Sequence, residues 1–358
     1  MFPTAPPASD ARRRSPATPA SKTMAGRIVV VTGASSGVGR ATARAFGACG
    51  ATVALVARNG DALFAAQEEI RRAGGDALVV VTDVADADAV EQAAATVAER
   101  YGRIDMWCNV AMATVFARVV DTTPEEYQRV TEVTYLGYVY GTQAALRRMI
   151  PRNAGVIIQV GSALAYRSIP LQGAYCAAKA AIRGFTDSLR SELIHDGIGV
   201  KITNVHLPAV NTPQAVRQRN KMPRQQQPVP PMFTPEAIAE AIVWAAEHAP
   251  REMLVGWPTT KAVWAQLGLR LIGLAGLLDR YLAGVGWDGQ FVPEGNDQTA
   301  DILFETLPGD PGAHGPYVDR EVRADWQMRV RTHPRITIAA AIAVAVASAA
   351  AAARRQQS

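Results

Sequence analysis

Cysteine is scarce in this sequence of 358 residues, which contains three, Cys49, Cys108 and Cys176. No two of them form a CxxC pair, and the five histidines show neither the HxH nor the HExxH spacing of metal sites. We therefore predict no disulfide framework and no metal site, and we interpret each cysteine as a small buried hydrophobic residue. This usage fits a protein of a reducing compartment such as the cytoplasm.

Charge of either sign is modest, because 19% of the residues are charged and the formal net charge is +5. The basic residues form no dense stripe apart from Arg12-Arg13-Arg14 near the N-terminus. This distribution argues against a nucleic-acid-binding protein. Hydrophobic residues make up 49% of the chain, which is ample for a large core in one or two domains.

Residues 1–23 contain no long apolar run and consist largely of Pro, Ala, Ser, Thr and Arg. Such a segment lacks the apolar part of a signal peptide and cannot bury a core of its own, so we predict a disordered tail. Met24 stands directly before the first predicted strand, and we take it as a hypothetical native start. Native protein whose N-terminal sequence includes residues from 1–23 would refute that hypothesis.

A glycine-rich turn follows the first predicted strand. The β-branched run Arg27–Thr32 leads into Gly33-Ala-Ser-Ser-Gly37-Val-Gly39, and a helical stretch follows over Arg40–Cys49. Between a strand and a helix, such a turn lets backbone N–H groups approach a pyrophosphate at the positive end of the helix. The spacing is GxxxGxG rather than GxGxxG, and a tight turn without a ligand is the alternative interpretation.

Strand-like and helix-like stretches alternate through the rest of this region. Further strands are predicted over Ala51–Ala57, Ala77–Thr82, Ile104–Asn109, Val156–Val160, Val200–Leu207 and Arg251–Gly256. Helices are predicted over Asp61–Ala73, Ala87–Tyr101, Thr123–Ile150, Tyr175–His195 and Glu236–His248. This order predicts an α/β fold, a Rossmann-type doubly wound parallel sheet of about seven strands with helices on both faces. Ligands bind such sheets at the carboxyl ends of the strands, where Gly33, Asn109, Ser162 and Pro208 all fall.

Tyr175 and Lys179 are four residues apart on a predicted helix and therefore share one face of it. A lysine ammonium near a tyrosine hydroxyl favours the phenolate, so we expect Lys179 to lower the pKa of Tyr175 from its ordinary value of about 10. A tyrosine with a lowered pKa can act as a general acid or base close to neutral pH. The same spacing also arises by chance, and the pair gains weight only from the residues around it.

Taken together, these motifs resemble those of the short-chain dehydrogenase/reductase superfamily, in its single-domain branch. The resemblance covers roughly residues 24–260, and the motifs occur in the family's order and at its intervals. They are Thr32-Gly33-Ala-Ser-Ser-Gly37-Val-Gly39, Asp83, Asn109-Val-Ala111, Ser162, Tyr175 with Lys179, and Pro208 through Thr212. A protein of this kind is expected to transfer hydride between a nicotinamide cofactor and an alcohol or carbonyl group.

The resemblance also implies roles for individual residues. Ser162 is expected to stabilise charge on the substrate oxygen, Tyr175 to give or take the proton, and Lys179 to bond the nicotinamide ribose. Asp83 and the backbone of Val84 are expected to hold the adenine end. The implied cofactor-binding set is Gly33, Ser35, Ser36, Gly37, Val38, Gly39, Arg58, Asp83, Val84, Asn109, Tyr175, Lys179, Pro208 and Thr212.

Three motifs depart from the family pattern. Where the family commonly reads Asn-Asn-Ala-Gly, this chain reads Asn109-Val-Ala-Met112, so Met112 is expected to form an apolar, flexible wall on the substrate side. Thr134 stands where the family usually carries a fourth catalytic asparagine. Whether Thr134 acts as a relay residue through its main-chain carbonyl stays open. Ala209 replaces the glycine of the usual Pro-Gly pair, a change that we interpret as tolerated.

The end of the second predicted strand bears on the cofactor's 2′ position. NAD-binding versions of the fold place an acidic residue there, and an arginine accommodates the phosphate of NADP. This chain reads Val56-Ala-Arg58-Asn59, with no acid before Asp61, and arginine pairs with phosphate in a bidentate geometry. We predict NADP(H) in preference to NAD(H). The alternative is an Arg58 that stacks on the adenine and tolerates either cofactor.

The predicted substrate pocket is largely apolar and offers little cationic anchoring for an acidic substrate. We expect a small hydrophobic alcohol, aldehyde or ketone as substrate, beneath a mobile lid formed by Pro213–Pro231. The predicted pocket residues are Met112, Thr114, Ala163, Leu164, Tyr166, Leu171, Gln172 and Pro208.

Nearly a hundred residues follow the family-like domain. Residues 261–332 are predicted to form an extension with an amphipathic helix over Val263–Ala283 and an extended loop over Gly284–Pro316. Residues 333–358 are predicted to contain an Ala-rich helix. Its uncharged stretch Ile336–Ala353 is bounded by arginines, and two interpretations stay open, a C-terminal membrane anchor or a solvent-exposed or interfacial helix.

The leading prediction is an NADP(H)-dependent oxidoreductase. A cofactor-binding sensor or scaffold without turnover is the alternative, and a dehydratase or epimerase on the same fold is a third. Intact Ser162, Tyr175 and Lys179 favour catalysis, since a non-catalytic protein has no chemical need for all three. The resemblance also implies a homodimer or homotetramer, built through the two long helices Thr123–Ile150 and Tyr175–His195.

Overall fold

A computed structural model of the protein describes residues 23–295, 298, 300–323 and 325–332. Its strands are β1 (Ile28–Thr32), β2 (Thr52–Ala57), β3 (Asp76–Val81), β4 (Met106–Asn109), β5 (Val115–Phe116), β6 (Val156–Ser162), β7 (Lys201–Leu207), β8 (Arg219–Asn220), β9 (Arg224–Gln226), β10 (Met232–Phe233), β11 (Glu252–Leu254), β12 (Phe291–Gly295) and β13 (Glu321–Val322). Seven of them pair in parallel in the order β3-β2-β1-β4-β6-β7-β11. The predicted Rossmann-type sheet is confirmed, and its strand order reverses between β1 and β4, where such folds bind ligands.

Strand β1 shows how the sheet is buried on both faces. Ile28 and Val30 pack into one apolar cluster, and Val29 and Val31 pack into the other. Successive side chains of a strand point to opposite faces, so each face needs its own apolar residues. All five residues of β1 are buried. A β-branched run without alternating polar residues is therefore what a strand covered by helices on both sides requires.

Helices cover both faces of the sheet. They are α1 (Gly37–Ala48), α2 (Gly60–Arg72), α3 (Ala87–Tyr101), α4 (Pro124–Thr131), α5 (Gly137–Met149), α6 (Gly173–His195), α7 (Gln214–Arg217), α8 (Pro235–His248), α9 (Trp257–Leu271), α10 (Ala275–Tyr281) and α11 (Trp326–Thr332). α1, α2 and α8 contribute to the apolar cluster that contains Val29. α3, α4, α5 and α6 contribute to the cluster that contains Val30.

The predicted long helix Thr123–Ile150 is divided in the structure. Its start is capped reciprocally, since the Thr123 hydroxyl accepts from the N–H of Glu126 and the Glu126 carboxylate accepts from the N–H of Thr123. α4 then passes into a π-helical turn over Glu132–Leu136 before α5 continues. Single π turns of this kind are frequent at functional sites, and this one contains Thr134, the predicted relay position.

The C-terminal extension folds back onto the core. The stretch predicted as one helix, Val263–Ala283, is divided between α9, which begins earlier at Trp257, and α10, and Gly273 with φ of +73° lies between them. The predicted loop Gly284–Pro316 contains β12, which pairs with β9, and beyond it β13 pairs with β10. Both pairings place the extension against the chain between β7 and α8, which includes the predicted lid Pro213–Pro231.

Within the described residues, no helix is both long enough and apolar enough to cross a membrane. The predicted Ala-rich helix with its stretch Ile336–Ala353 lies outside the described residues, as do residues 1–22 of the predicted disordered tail. Both of these remain predictions.

Candidate active site

The turn between β1 and α1 forms a backbone cradle at the carboxyl edge of the sheet. Gly33 and Gly37 have φ of +71° and +54°, a region that glycine adopts without strain. A Cβ on Gly33 would lie 2.8 Å from the Cα of Ala111, and one on Gly39 would overlap the carbonyl of Gly33. Side chains are thus excluded, and the backbone can approach a ligand at the N-terminus of α1. This cradle fits the pyrophosphate of a dinucleotide cofactor.

A first cavity, of about 190 Å³, lies over this cradle. The predicted cofactor residues in its wall are Gly33, Ser35, Ser36, Gly37, Val38, Gly39, Arg58, Asp83, Val84 and Thr212. The extension supplies further wall residues that sequence reasoning missed, namely Ile302, Thr306, Leu307 and Pro311. No pattern in the sequence relates these positions to the glycine turn, because their contact arises only when the extension folds back.

A second cavity, of about 370 Å³, adjoins the first and shares Met112 and Thr212 with it. It brings together Ser162, Tyr175 and Lys179, the three predicted catalytic residues. The other predicted residues in its wall are Met112, Thr114, Ala163, Leu164, Gln172 and Pro208. The predicted lid and the extension close it with Pro228, Val229, Pro230, Pro231, Ala262, Leu282 and Gly286.

The Tyr175 hydroxyl has a raised pKa. Desolvation by the surrounding protein raises it above the ordinary value, and the hydrogen bond with Ser162 opposes this only in part. The Ser162 Oγ accepts from the N–H of Leu164 at 3.1 Å, which leaves the serine proton for another acceptor. The expectation that Lys179 lowers the Tyr175 pKa is therefore wrong for this structure, since burial outweighs any effect of the ammonium.

Lys179 itself is buried and has partners of its own. Its Nζ donates to the hydroxyl of Tyr138 at 2.9 Å and to the carbonyl of Val160 at 2.7 Å. The ammonium lies 5.7 Å from the ring centroid of Tyr175. Burial lowers the pKa of Lys179 to about 7, so at neutral pH the group is only partly charged and stabilises a phenolate weakly. Tyr138, which sequence reasoning missed, thus takes part in holding Lys179.

Asn109 does not line either of these two cavities, although it was predicted beside the cofactor. The residue is fully buried, and its amide donates to Gln159 at 2.9 Å and to Thr142 at 3.2 Å. Val110 and Met112 form the cavity walls at the end of β4 instead. The amide is held inside because an unpaired buried polar group is costly, and the core around Asn109 supplies its partners.

Thr134 ties the π turn to the loop after β4. Its hydroxyl donates to the carbonyl of Ala113 at 2.8 Å, and it accepts from the N–H of the same residue at 2.9 Å. The side chain is fully buried. These contacts position the turn, and a role of Thr134 in proton relay stays a prediction.

A hydrogen-bond network of three side chains lies directly behind Ser162. His206 contacts the main-chain oxygen of Ser162 through Nδ1 at 3.2 Å and the carboxylate of Glu252 through Nε2 at 2.8 Å. The hydroxyl of Tyr166 donates to the same carboxylate oxygen. A Cβ on Gly161 would lie 2.5 Å from the His206 Nδ1, so glycine at this position makes room for the imidazole.

This network corrects the prediction for Tyr166, which does not line the substrate cavity but turns its hydroxyl to Glu252. The hydrogen bond from His206 is the main cause that lowers the pKa of Glu252 to about 2, and burial followed by the Glu252 contact raises that of Tyr166 to about 12. Leu171 also departs from its predicted place and packs with Phe116 instead. The sequence signal missed here is a histidine two residues before Pro208, at the carboxyl end of β7.

Arg58, predicted to accept the cofactor's 2′-phosphate, already has partners within the chain. Its two terminal nitrogens donate to the carbonyls of Ile302 at 2.6 Å and Phe304 at 2.7 Å. Burial, together with the nearby charge of Arg129, lowers the pKa of Arg58. The guanidinium therefore lines the first cavity with two of its donors directed at the extension, and its binding of the 2′-phosphate stays a prediction.

Asp83, predicted to hold the adenine, is likewise engaged. Its carboxylate pairs with the guanidinium of Arg129 at 2.6 Å, and the Nε of Arg129 donates to the carbonyl of Leu303 at 3.1 Å. The Leu303 side chain is 2% exposed and belongs to the apolar cluster that contains Val84. The part of the cleft that is predicted to hold the adenosine is thus in contact with the extension.

The sequence family described as short chain dehydrogenase matches residues 27–223. The chain is 37% identical over 237 residues to the uncharacterized oxidoreductase YxnA of Bacillus subtilis. The aligned region covers 66% of this chain and 67% of that protein. The matches span 57% to 67% of the lengths of the first three curated relatives. The family match ends before the C-terminal extension begins.

Solved structures also match this chain over about two thirds of its length. A metagenomic short-chain oxidoreductase in complex with NADP is 29% identical, with a TM-score of 0.56 over 65% of this chain and 97% of its own. A short chain dehydrogenase/reductase from Burkholderia phymatum in complex with NAD is 24% identical, with a TM-score of 0.62 over 69% of this chain and 93% of its own. The second likeness bears on the fold alone.

Proposed function

The chain belongs to the short-chain dehydrogenase/reductase family, and from this premise we propose that it interconverts a hydrophobic alcohol and its aldehyde or ketone with NADP(H). Membership makes the chain an oxidoreductase that acts on CH–OH or C=O groups with a nicotinamide cofactor. The proposal adds to this the phosphate of the cofactor, the apolar character of the substrate and the roles of individual residues.

One observation carries the proposal: Ser162, Tyr175 and Lys179 line one cavity that adjoins the glycine cradle. A nicotinamide cofactor, when bound, supplies or accepts the hydride. Tyr175 gives the proton to the substrate oxygen or takes it from there, and the Ser162 hydroxyl donates a hydrogen bond to the same oxygen. Lys179, held by Tyr138 and Val160, keeps a proton source beside Tyr175 that titrates near neutral pH.

The cavity walls support an apolar substrate. Most of the lining side chains are aliphatic or proline, and Lys179 is the charged residue among those that line the cavity. Its ammonium already has two hydrogen-bond partners, so a substrate carboxylate or phosphate would lose hydration without gaining a dedicated cation. An aldehyde or ketone with an aliphatic or aromatic body avoids that cost.

The preference for NADP(H) rests on Arg58 and on the lack of an acidic residue directly after β2. Arg58 and the glycine turn both line the first cavity. The metagenomic structure is in complex with NADP and the Burkholderia phymatum structure with NAD, so these two likenesses do not decide between the cofactors. The arginine is therefore what favours the phosphate-bearing cofactor here.

A turnover assay tests the proposal. We expect purified full-length protein to oxidise NADPH in the presence of one or more hydrophobic aldehydes or ketones, and NADPH to bind more tightly than NADH. Tyr175→Phe serves as the control, since it keeps the ring and removes the proton donor. Tight NADPH binding without turnover on any carbonyl would instead favour the sensor or scaffold.

We also propose a homodimer or homotetramer built through the outer faces of α4, α5 and α6, as the family resemblance implies. Sedimentation equilibrium of the full chain tests this, and a monomer across the micromolar range would refute it.

A further inference from the structure

Residues 301–312 of the extension, here called the strap, lie across the adenosine end of the cofactor cleft. The strap carbonyls of Ile302 and Phe304 accept hydrogen bonds from the two terminal nitrogens of Arg58, at 2.6 Å and 2.7 Å. In the proposed function this guanidinium binds the cofactor's 2′-phosphate. The strap therefore places two neutral acceptors where a doubly charged acceptor is expected.

The other end of the strap reaches the glycine cradle. The carbonyl of Gly312 accepts from the backbone N–H of Gly37 at 3.1 Å. Gly37 is the first residue of α1, and the first N–H groups of a helix have no partner within the helix, so with the helix dipole they make this end an anion site. The strap thus contacts both groups on which recognition of the cofactor's phosphates rests, the arginine after β2 and the N-terminus of α1.

Apolar and ionic contacts anchor the strap between these two points. Leu303 is 2% exposed, within the cluster that contains Val84, the residue predicted to hold the adenine. Asp310 pairs with Arg40, whose side chain is 1% exposed, through a contact of 3.0 Å. Asn59 donates to the carbonyl of Leu307 at 3.1 Å. The strap is thus a docked segment with its own buried anchor.

We propose that the strap is an internal competitor of NADP(H), an inference that rests on the proposed function. The N–H groups that Arg58 and Gly37 donate to the strap carbonyls are not available to the cofactor's phosphates while the strap is docked. Arg58 has further N–H groups, and we infer that the strap leaves when the phosphates take up the two terminal nitrogens and the end of α1. A phosphate wins this exchange because hydrogen bonds to an ionised acceptor are stronger than those to a neutral carbonyl. NADH, which lacks the 2′-phosphate, has nothing with which to displace the strap from Arg58.

The apparent affinity for the cofactor then depends on how often the strap is open. When only a fraction of molecules has the competent state, the observed dissociation constant is the intrinsic one divided by that fraction. Weakening the strap should therefore tighten NADPH binding. The strap could instead act as a clamp that closes over bound cofactor. In that case the cofactor would hold the strap in place, and weakening the strap would weaken NADPH binding.

Amide hydrogen exchange of the wild-type full chain separates these two behaviours. The N–H of Ile302 donates to the carbonyl of Arg217 at 3.0 Å and reports on docking of the strap. We expect saturating NADPH, or adenosine 2′,5′-bisphosphate alone, to speed exchange across the strap, and saturating NADH to do so less. Slower or unchanged exchange with NADPH would overturn the proposal.

A variant provides the second arm. Leu303→Ala removes the buried anchor without altering a predicted cofactor residue, and we expect the dissociation constant of NADPH to fall about tenfold, in line with a larger open fraction. Leu271→Ala is the matched control, because Leu271 is 88% exposed on α9 and should leave binding unchanged. An unchanged or higher dissociation constant for Leu303→Ala would contradict the strap as competitor.

These measurements keep the inference separate from the proposed function. If NADPH releases the strap but no carbonyl is turned over, the catalytic proposal is refuted and the strap is supported as a competitor. If the protein turns over a carbonyl while NADPH slows exchange in the strap, catalysis is supported and the strap as a competitor is refuted. Failure of NADPH to bind both wild-type protein and Leu303→Ala, measured by nucleotide fluorescence, would overturn both.

Discussion

The two ends of the cofactor cleft are built differently. At the end that we propose to be catalytic, Ser162, Tyr175 and Lys179 line a cavity of about 370 Å³, within the range of roughly 300–1,000 Å³ that small-ligand pockets span. At the adenosine end the cavity is about 190 Å³, and Arg58 and Asp83 are engaged by the extension or by Arg129. The catalytic end is therefore shaped for a ligand, whereas the adenosine end is in contact with the chain's own backbone.

This difference follows from where the residues stand. Ser162 ends β6 and Tyr175 lies in the first turns of α6, so rigid elements of the central fold position both. The strap, in contrast, belongs to an extended segment whose docking depends on a few anchors such as Leu303 and Asp310. A rigid site suits chemistry, and a segment held by few contacts suits opening and closing.

The largest expected effect tests the catalytic end. Tyr175→Phe should lower kcat by about 10³-fold, since general acid–base groups contribute roughly 10² to 10⁴ to rates. NADPH affinity should stay the same, because the ring is retained and the adenosine end is untouched. Steady-state kinetics with nucleotide titration measure both. Turnover close to that of the wild type would show that Tyr175 is not the proton donor.

Arg58→Ala tests the adenosine end. The dissociation constant of NADPH should rise about tenfold. A lost hydrogen bond to a charged group costs roughly 1.5–3 kcal/mol, and the looser strap offsets part of this loss. NADH binding should tighten, because the strap loses two hydrogen bonds and the cofactor loses none. Arg44→Ala, on the exposed side of α1, is the control. Equal weakening for both cofactors would mean that Arg58 does not read the phosphate.

Glu252→Gln tests the network behind Ser162. The substitution keeps the shape of the side chain and removes the charge that His206 and Tyr166 share. We expect kcat to fall about threefold to tenfold with KM nearly unchanged. The weakened network holds Ser162 less firmly, and the expected loss corresponds to about one hydrogen bond. Glu192→Gln, exposed on α6, is the matched control. An equal loss in the control would assign the effect to general destabilisation.

The last effect is on stability and concerns the charge of Lys179. Its pKa is lowered to about 7 from 10.5, so between these values the unfolded chain binds more protons than the folded one. The contribution of Lys179 to the free energy of unfolding should therefore rise with pH across this interval, by up to about 1.4 kcal/mol per pH unit. Lys179→Met should flatten the rise in urea titrations. The same slope in both proteins would place the lysine in a more hydrated environment.

Much of the fold follows from local sequence. β-branched runs such as Arg27–Thr32, separated by helix-length stretches, predict buried parallel strands because each strand must be covered on both faces. The glycine turn and the Tyr175–Lys179 pair are also local patterns, and the strand-end rule places them at one edge of the sheet. Sequence alone therefore predicted that Ser162, Tyr175 and Lys179 lie together.

Tertiary structure decided the environment of those residues. The raised pKa of Tyr175 and the lowered pKa of Lys179 come from desolvation, which depends on every neighbour and not on a spacing of four residues. The contacts of Arg58 with Ile302 and Phe304 join residues that are 244 and 246 positions apart in the sequence. Such contacts leave no periodic trace in the sequence. They exist only because the extension folds back onto the cleft of the central domain.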